Sequence, residues 1–254
     1  MKNKYVSFIS DEHLIRCIQT LFSSYEKAKR NISKKSFYNN KVDIIKLIFD
    51  AKFNNKTADI LISDEILRQV DKSINNSIGT FHEQILGGID GYESGKLVGY
   101  DIKATDNSLF ADIKNKHNTM NSSSAEALFQ KLKTFADTHK KAKCYWVQIL
   151  AKGSFNELWE GEINGKEYKH SRVYKISGDR FYAMLTNQED ALYQLYKALP
   201  MAIDDFLSKE SKNGKIKDNS TLSEIKDDAS RSKRSIIDQI THDNFNYYFG
   251  FDKL

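Results

Sequence analysis

Apolar residues recur at helical spacing through much of the first 53 residues. Ser10 can cap a helix in which apolar side chains repeat every three or four positions from Leu14 to Tyr25. A shorter stretch, residues 42–53, shows the same spacing. The pattern therefore predicts two amphipathic helices near the start of the chain.

A longer apolar stripe runs from Ile66 to Ile85, and Ser63 is its predicted N-cap. Gly87 and Gly88 follow the stripe. Glycine commonly ends a helix because it adopts the left-handed backbone conformation at low cost. We expect a long helix that stops at this pair and packs against the rest of the protein.

Beyond these glycines the spacing changes from helical to alternating. "KLVGYDIK" (residues 96–103) and "SLFADIKNK" (residues 108–116) read as strands, and "ATDN" between them is rich in turn formers, which together predict a β-hairpin. Ser123 and Glu126 predict a capping box before a helix, and "KCYWVQILAK" (residues 143–152) has the composition of a strand. The order helix, strand, strand, helix, strand predicts an α/β (α+β) fold around a central sheet.

The next 60 residues have a less regular pattern. Residues 153–171 read as short strands with a turn at "NGK". "RVYKIS" and "RFYAML" predict a hairpin that turns at Gly178 and Asp179, and residues 188–208 predict a helix.

Residues 209–235 carry almost no apolar stripe and predict a mobile polar segment. The aromatic stretch "FNYYFGF" near the end of the chain is expected to dock back on the fold. We therefore predict an N-terminal helical region over residues 1–88, a core domain over residues 89–208, and a polar segment with its docking end over residues 209–254.

Composition narrows the class of protein. Hydrophobic residues make up 40% of the 254 residues, which excludes a disordered chain. No run approaches the roughly 20 apolar residues that span a bilayer, and the first residues lack the apolar core of a signal peptide, so we expect a cytoplasmic protein. Cys17 and Cys144 are too isolated for a disulfide framework or a zinc site. The net charge of +5 permits nucleic-acid binding without requiring it.

The tripeptide Asp-Ile-Lys occurs twice in the predicted hairpin, at residues 101–103 and 112–114. Side chains alternate between the faces of a strand, so Asp112 and Lys114 are expected on one face. Two carboxylates can hold Mg²⁺, and a nearby ammonium can orient a water and stabilise developing negative charge. A cross-strand charge pattern without chemistry is the alternative.

"GYDIK" and "LFADIKNKHNT", followed by a Ser-rich helix start, resemble the active-site region of the PD-(D/E)XK nucleases. More narrowly, they resemble the type II restriction endonucleases that cut GGNCC or GGWCC. By this resemblance Asp101 is the first Asp, Asp112 the second acid and Lys114 the catalytic Lys. Tyr100 stands where the motif has Pro, and the second acid is Asp where Glu is commoner.

The resemblance implies a mixed central sheet flanked by helices and Mg²⁺-dependent hydrolysis of double-stranded DNA at a short sequence. It also implies a homodimer on a two-fold symmetric target, and a methyltransferase that protects host DNA as the partner in the same system. A repair or recombination nuclease of the same superfamily, and a DNA-binding protein without enzymatic activity, are the alternatives.

Further site residues are candidates only. Glu83, two residues past Phe81 on the preceding helix, is either a third metal ligand or an ordinary solvated side chain. Residues with side chains suited to DNA lie after the predicted catalytic strands, and ordinary polar loops are the alternative reading. These candidate DNA contacts are Lys116, His117, Asn118, Thr119, Arg172 and Arg180.

Overall fold

The computed structural model describes residues 3–30, 33–95, 99–210 and 221–245. The chain divides into two compact units, the first comprising residues 1–21 and 78–212, the second residues 22–77 and 213–254. The domain boundaries predicted after residues 88 and 208 stay a prediction. None of the described helices is long and apolar enough to cross a membrane.

Four helices precede the first strand. They are α1 (Asp11–Arg30), α2 (Lys34–Asn39), α3 (Ile44–Phe53) and α4 (Ala58–Leu86). The Ser10 hydroxyl accepts a hydrogen bond from the amide of His13 at 3.2 Å, as expected of a cap. The predicted cap at Ser63 is wrong, because α4 begins at Ala58 and buried Leu61 and Ile62 extend its apolar pattern toward the N-terminus.

A six-stranded mixed sheet forms the centre of the first unit, in the order β1-β2-β3-β4-β8-β5. Neighbours β3, β4 and β8 are parallel, and the other pairings are antiparallel. The strands are β1 (Tyr92–Ser94), β2 (Ile102–Ala104), β3 (Leu109–Lys116), β4 (Lys143–Leu150), β5 (Asn156–Leu158) and β8 (Val173–Ser177), while β6 (Gly161–Ile163) and β7 (Lys166–Tyr168) form a separate hairpin. The expected mixed sheet and the β2–β3 hairpin are confirmed; residues 96–98 of the predicted first strand lie outside the described residues.

Helix α5 (Ser122–Thr138) connects β3 to β4. The predicted capping box of Ser123 and Glu126 is wrong, because the side chain of Asn121 accepts from the amide of Ser124 at 2.8 Å. The Glu126 carboxylate instead accepts hydrogen bonds from Tyr168 and Asn164. Asn is as good a cap as Ser, so the N-cap lies two positions before the expected one.

The predicted hairpin at Gly178 is half wrong. Its first arm is β8, but its second arm is helix α6 (Gly178–Thr186). Phe181, Tyr182 and Leu185 are buried, at a spacing that fits one face of a helix. The aromatic composition favoured a strand, but packing of this face decides the structure. The predicted helix at residues 188–208 is confirmed from residue 191 onward, as helix α7 (Ala191–Glu210).

Two helices of the second unit follow, α8 (Thr221–Arg231) and α9 (Ile236–Phe245). The structure thus differs from the predicted mobile segment over residues 221–231, where Thr221, Ile225 and Ala229 are buried at i, i+4, i+8 spacing. This stripe is hard to detect in the sequence because Ile225 is its one large apolar member. Residues 211–220 and most of the predicted aromatic docking segment lie outside the described residues.

Helix α5 is held on β3 by aromatic stacking. The rings of Phe110 and Phe135 are parallel within 9° with centroids 4.8 Å apart. Tyr100 meets both rings edge-on. Such pairs contribute about 0.5–1.5 kcal/mol beyond the area that they bury. This packing fixes the position of α5 along the length of β3.

Gly178 allows α6 to begin directly against β4. A methyl group at this position would lie 2.6 Å from the carbonyl oxygen of Ile149, so we expect Gly178→Ala to lower the free energy of unfolding by about 1–3 kcal/mol. Gly153→Ala is the matched control, since no atom lies within 4 Å of its added methyl. Urea denaturation measures both, and equal stabilities would contradict the close approach.

Candidate active site

The β2–β3 register brings the two predicted carboxylates together. Ile102 pairs with Ala111, and Asp101 and Asp112 are the next residues outward on the two neighbouring chain segments. The Asp101 amide donates to the carbonyl of Ala111 at 2.9 Å. Its carboxylate turns back to β3, where Oδ2 accepts from the amide of Ile113 at 2.6 Å. Asp101 is thereby anchored beside Asp112 by the backbone of the neighbouring strand.

Asp112 is held between two lysines. Its side chain is 6% exposed, and its Oδ1 pairs with the ammonium of Lys114 on the same strand. Its Oδ2 lies 2.7 Å from Nζ of Lys131, which belongs to α5. Both lysine side chains are 34% exposed, so they lie partly in solvent while the carboxylate is buried.

The stacking of α5 on β3 explains the position of Lys131. Phe110 and Asp112 lie on the same face of β3, because side chains alternate along a strand. On α5, Lys131 precedes Phe135 by one helical turn. When Phe135 stacks on Phe110, Lys131 is therefore carried to Asp112. Sequence reasoning missed Lys131. The available signal was a lysine one helical turn before Phe135, an apolar residue of the helix that follows β3.

The two carboxylates repel each other. Burial raises the pKa of Asp101, and the charge of Asp112 raises it further, while the Ile113 amide and the two lysines oppose the rise. Like charges held this close favour a cation between them. The aspartates supply hard oxygen donors, and Mg²⁺ typically takes one or two protein carboxylates and completes its shell with water and phosphate. The donor chemistry therefore fits Mg²⁺.

Gln148 on β4 is a second side chain that sequence reasoning missed. It pairs in register with Lys114 on the parallel neighbour, which places both side chains on the same face of the sheet. It is 7% exposed, yet its amide makes no hydrogen bond to any other residue that the structure describes. A polar residue between buried Val147 and Ile149 was the available signal. Its amide can therefore serve a ligand beside Lys114.

Glu83 lies half-buried on α4. Within the described ranges, no three carboxylate, His or Cys side chains are grouped so as to hold a metal ion. The structure therefore does not bring Glu83 into one cluster with Asp101 and Asp112, and its role as a ligand stays a prediction.

The predicted DNA contacts at residues 116–119 lie at the carboxyl end of β3, two positions beyond Lys114. Lys116, Asn118 and Thr119 are exposed. The His117 amide donates to the carbonyl of Leu150 at 3.2 Å, which ties this loop to the end of β4. Four of the six predicted contacts thus lie at the carboxyl end of β3, the end nearer to Lys114.

The two predicted arginines are placed differently. Arg172 precedes β8, at the opposite end of the parallel strands, and its Nη1 donates to the carbonyls of His139 at 2.9 Å and Ala142 at 3.3 Å. Arg180 lies on α6, beyond the carboxyl end of β8, and is exposed with an ion pair to Glu189 at 2.6 Å. Arg180 is therefore on the same edge of the sheet as the 116–119 loop, and Arg172 is not.

Comparison with known proteins decides the family. The model of the Eco47II restriction endonuclease family matches residues 6–208. The chain belongs to this family. It is 39% identical over 255 residues to the type II restriction enzyme Sau96I of Staphylococcus aureus, covering 96% of this chain and 97% of that protein. It is 28% identical over 213 residues to Eco47II of Escherichia coli, covering 80% of this chain and 88% of that enzyme.

Membership of the Eco47II family confirms the resemblance found in the Asp-Ile-Lys hairpin. The chain is a site-specific restriction endonuclease that cleaves DNA, and it acts on double-stranded DNA as restriction enzymes do. The family match spans all of the site, from the hairpin through α5 to β4. The alternatives of a repair nuclease and of a DNA-binding protein without activity are thereby set aside.

The raised pKa of Asp101 predicts how stability depends on pH. Folding raises this pKa, so the stabilising contribution of Asp101 is present at acid pH and is lost as the pH rises through the folded-state pKa. Asp101→Asn keeps an oxygen for the Ile113 amide and removes the charge. We expect it to raise Tm at pH 7.5, and to raise it less at pH 4, in thermal unfolding with EDTA.

Asp106→Asn is the matched control in the same hairpin. Hydrogen bonds from Ser108 lower the pKa of Asp106, so its charge is favoured by folding and the same substitution should not raise Tm at pH 7.5. An unchanged or lower Tm for Asp101→Asn at pH 7.5 would show that the carboxylate is not strained by burial and by Asp112.

Proposed function

We propose that this family member is a Mg²⁺-dependent type II restriction endonuclease that leaves 5′-phosphates. In this proposal Asp101 and Asp112 hold the metal and Lys114 orients the attacking water. The observation that carries it is the Asp112 carboxylate, buried beside Asp101 and paired with Lys114 on the same face of β3. Mg²⁺ bound there would lower the pKa of a coordinated water and screen phosphate charge.

The charges of the site suit an anionic substrate. Asp101 and Asp112 carry two negative charges, and Lys114 and Lys131 balance them. A phosphodiester therefore approaches a site without net negative charge. The ammonium of Lys114 can then donate to a phosphate oxygen or to the water.

Lys131 and Gln148 extend the proposed machinery. Lys131 is a positioning residue, because it acts on the reaction through Asp112 Oδ2. The Gln148 amide can donate to a phosphate oxygen next to Lys114, since it is spent on no other described group. Glu83 remains a candidate third ligand, for which the described residues give no support beyond its position on α4.

The 116–119 loop is proposed to contact DNA, since it lies at the same edge of the sheet as the site. Arg180 is a proposed contact at that edge, exposed and paired with Glu189 in a surface ion pair. Arg172 is the weakest of the six candidates, because its guanidinium already binds two backbone carbonyls.

The target and the assembly complete the proposal. By its resemblance to the GGNCC and GGWCC enzymes, the chain is proposed to cut a GGNCC-like sequence as a homodimer, with one active site per strand. It is proposed to act in the cytoplasm beside a methyltransferase that protects the same sequence.

Cleavage of plasmid DNA with Mg²⁺ and with EDTA tests the chemistry. Discrete fragments are expected only with the metal. Lys114→Ala should slow cutting by about 10²- to 10⁴-fold, because the water loses its orienting group, while gel-shift affinity for DNA stays close to that of the parent.

The other Asp-Ile-Lys copy supplies the control. Lys103 pairs with Glu93 at 2.8 Å on the neighbouring strand, so Lys103→Ala should cut normally. If Lys114→Ala cuts as fast as Lys103→Ala, Lys114 is not catalytic.

The role of Lys131 is tested on its own helix. Lys131→Ala leaves Asp112 Oδ2 without its lysine partner, so we expect the rate of DNA cleavage to fall by about tenfold. The affinity for Mg²⁺, measured by calorimetry without DNA, should also change. Lys133→Ala removes a surface pair with Asp137 and should change neither quantity. Equal behaviour of the two variants would exclude Lys131 from the site.

A further inference from the structure

Helix α7 carries apolar side chains on two opposite faces. Its inner face, which packs in the first unit, consists of buried Ala191, Leu195, Ala198, Ala202 and Phe206. Its outer side exposes Tyr193, Tyr196, Met201, Ile203 and Leu207 by 62, 47, 44, 39 and 38% respectively. A helix that is apolar on both sides is normally covered on both. The outer side is therefore a surface with a missing partner.

The exposed residues repeat in steps of three and four. Positions 193, 196, 200, 203 and 207 form what we call the outer seam, and Pro200, its central member, is also exposed. This is the spacing by which one helix packs lengthwise against another. The seam runs over most of the 20-residue helix. Its shape thus fits a second helix better than a flat surface or a small molecule.

Two charges beside the seam show which helix fits. Lys197 and Asp204 follow seam residues Tyr196 and Ile203 by one position each, so they lie on the same side of it. Both are exposed, and neither forms an ion pair with another residue of the described ranges, although the ammonium of Lys197 lies over the ring of Tyr193, 5.7 Å from its centroid. An opposite-charge pair spaced by two helical turns is complementary to its own reversed copy.

We propose that the outer seam is the surface on which two copies of this chain dock, with their α7 helices antiparallel about a two-fold axis. Setting Pro200 of one copy against Ile203 of the other also sets Tyr196 against Leu207. Lys197 then faces Asp204 of the other copy, and symmetry makes this contact twice. The inference deepens the proposed homodimer by naming its surface and register.

A second exposed apolar stripe, on α3, does not carry the same argument. Its flanking charges, Lys46 and Asp50, already pair with each other within the helix. These two side chains are therefore not available to pair with a partner, and nothing in that stripe favours a second copy of this chain as the partner. Helix α7 also belongs to the unit that holds Asp101 and Asp112, so docking there joins two active units directly.

Charge reversal tests the register without using cleavage. The mass of the full-length protein is measured by light scattering across a dilution series, in EDTA and without DNA. Lys197→Glu and Asp204→Lys should each raise the dimer dissociation constant by about tenfold or more, because each places like charges together twice. The double variant should return to within about threefold of the parent, since it restores both pairs.

Two further variants distinguish the loss of contacts in the outer seam from a general effect of net charge on dimerisation. Ile203→Glu should dissociate the dimer, and no charge reversal should restore it. Lys141→Glu makes the same change of net charge as Lys197→Glu, but at an exposed position outside α7, and should leave the dimer intact. Thermal unfolding of each variant checks that the fold is kept.

A parent protein that is monomeric at all concentrations overturns the proposal, as does a dimer that Lys197→Glu and Ile203→Glu both leave intact. Loss of dimer in both single reversals without rescue in the double overturns the antiparallel register. A monomer that dimerises when residues 246–254 are removed shows that this segment covers the seam, which also overturns it. These results are independent of whether Lys114→Ala cuts DNA, so the surface and the proposed chemistry fail separately.

Discussion

A buried carboxylate with two ammonium partners is the interaction on which the site depends. Asp112 is almost fully buried, and a charge taken out of water is costly unless it is paired. Lys114 supplies one partner from the same strand and Lys131 the other from α5. Removing either lysine would leave an oxygen of the buried Asp112 carboxylate unpaired. Both the fold and the proposed chemistry therefore require α5 to keep its position along β3.

This constraint links the packing of the unit to its function. Phe135 on Phe110 fixes α5 along β3, and the same contact decides that Lys131 reaches Asp112. On the neighbouring strand, the Ile113 amide fixes the direction of the Asp101 carboxylate. Asp112 and Lys114 thus sit on a regular strand and Lys131 on a helix, and such elements position side chains more accurately than loops do.

The parts of the site that sequence predicts are those set by local geometry. Asp112 and Lys114 share a strand face because side chains alternate, and Asp101 joins them because the hairpin turn is short. Lys131 and Gln148 depend on which helix and strand pack beside β3, which no local pattern contains. The error at α6 has a similar origin: "RFYAML" has strand composition, but burial of Phe181 and Leu185 on one face makes it a helix.

The charge balance of the site explains how it can be stable and still ready to bind. Two lysines neutralise Asp112 and oppose its repulsion of Asp101, so the folded chain tolerates a carboxylate pair without an ion. If Asp101 and Asp112 held a divalent cation, Lys114 and Lys131 would lose their carboxylate partners, at an edge where residues 116–119 add further cationic and polar groups. The net positive charge that results is matched by the phosphates of DNA. Metal and DNA are therefore expected to favour each other's binding, because each supplies charge that the other lacks.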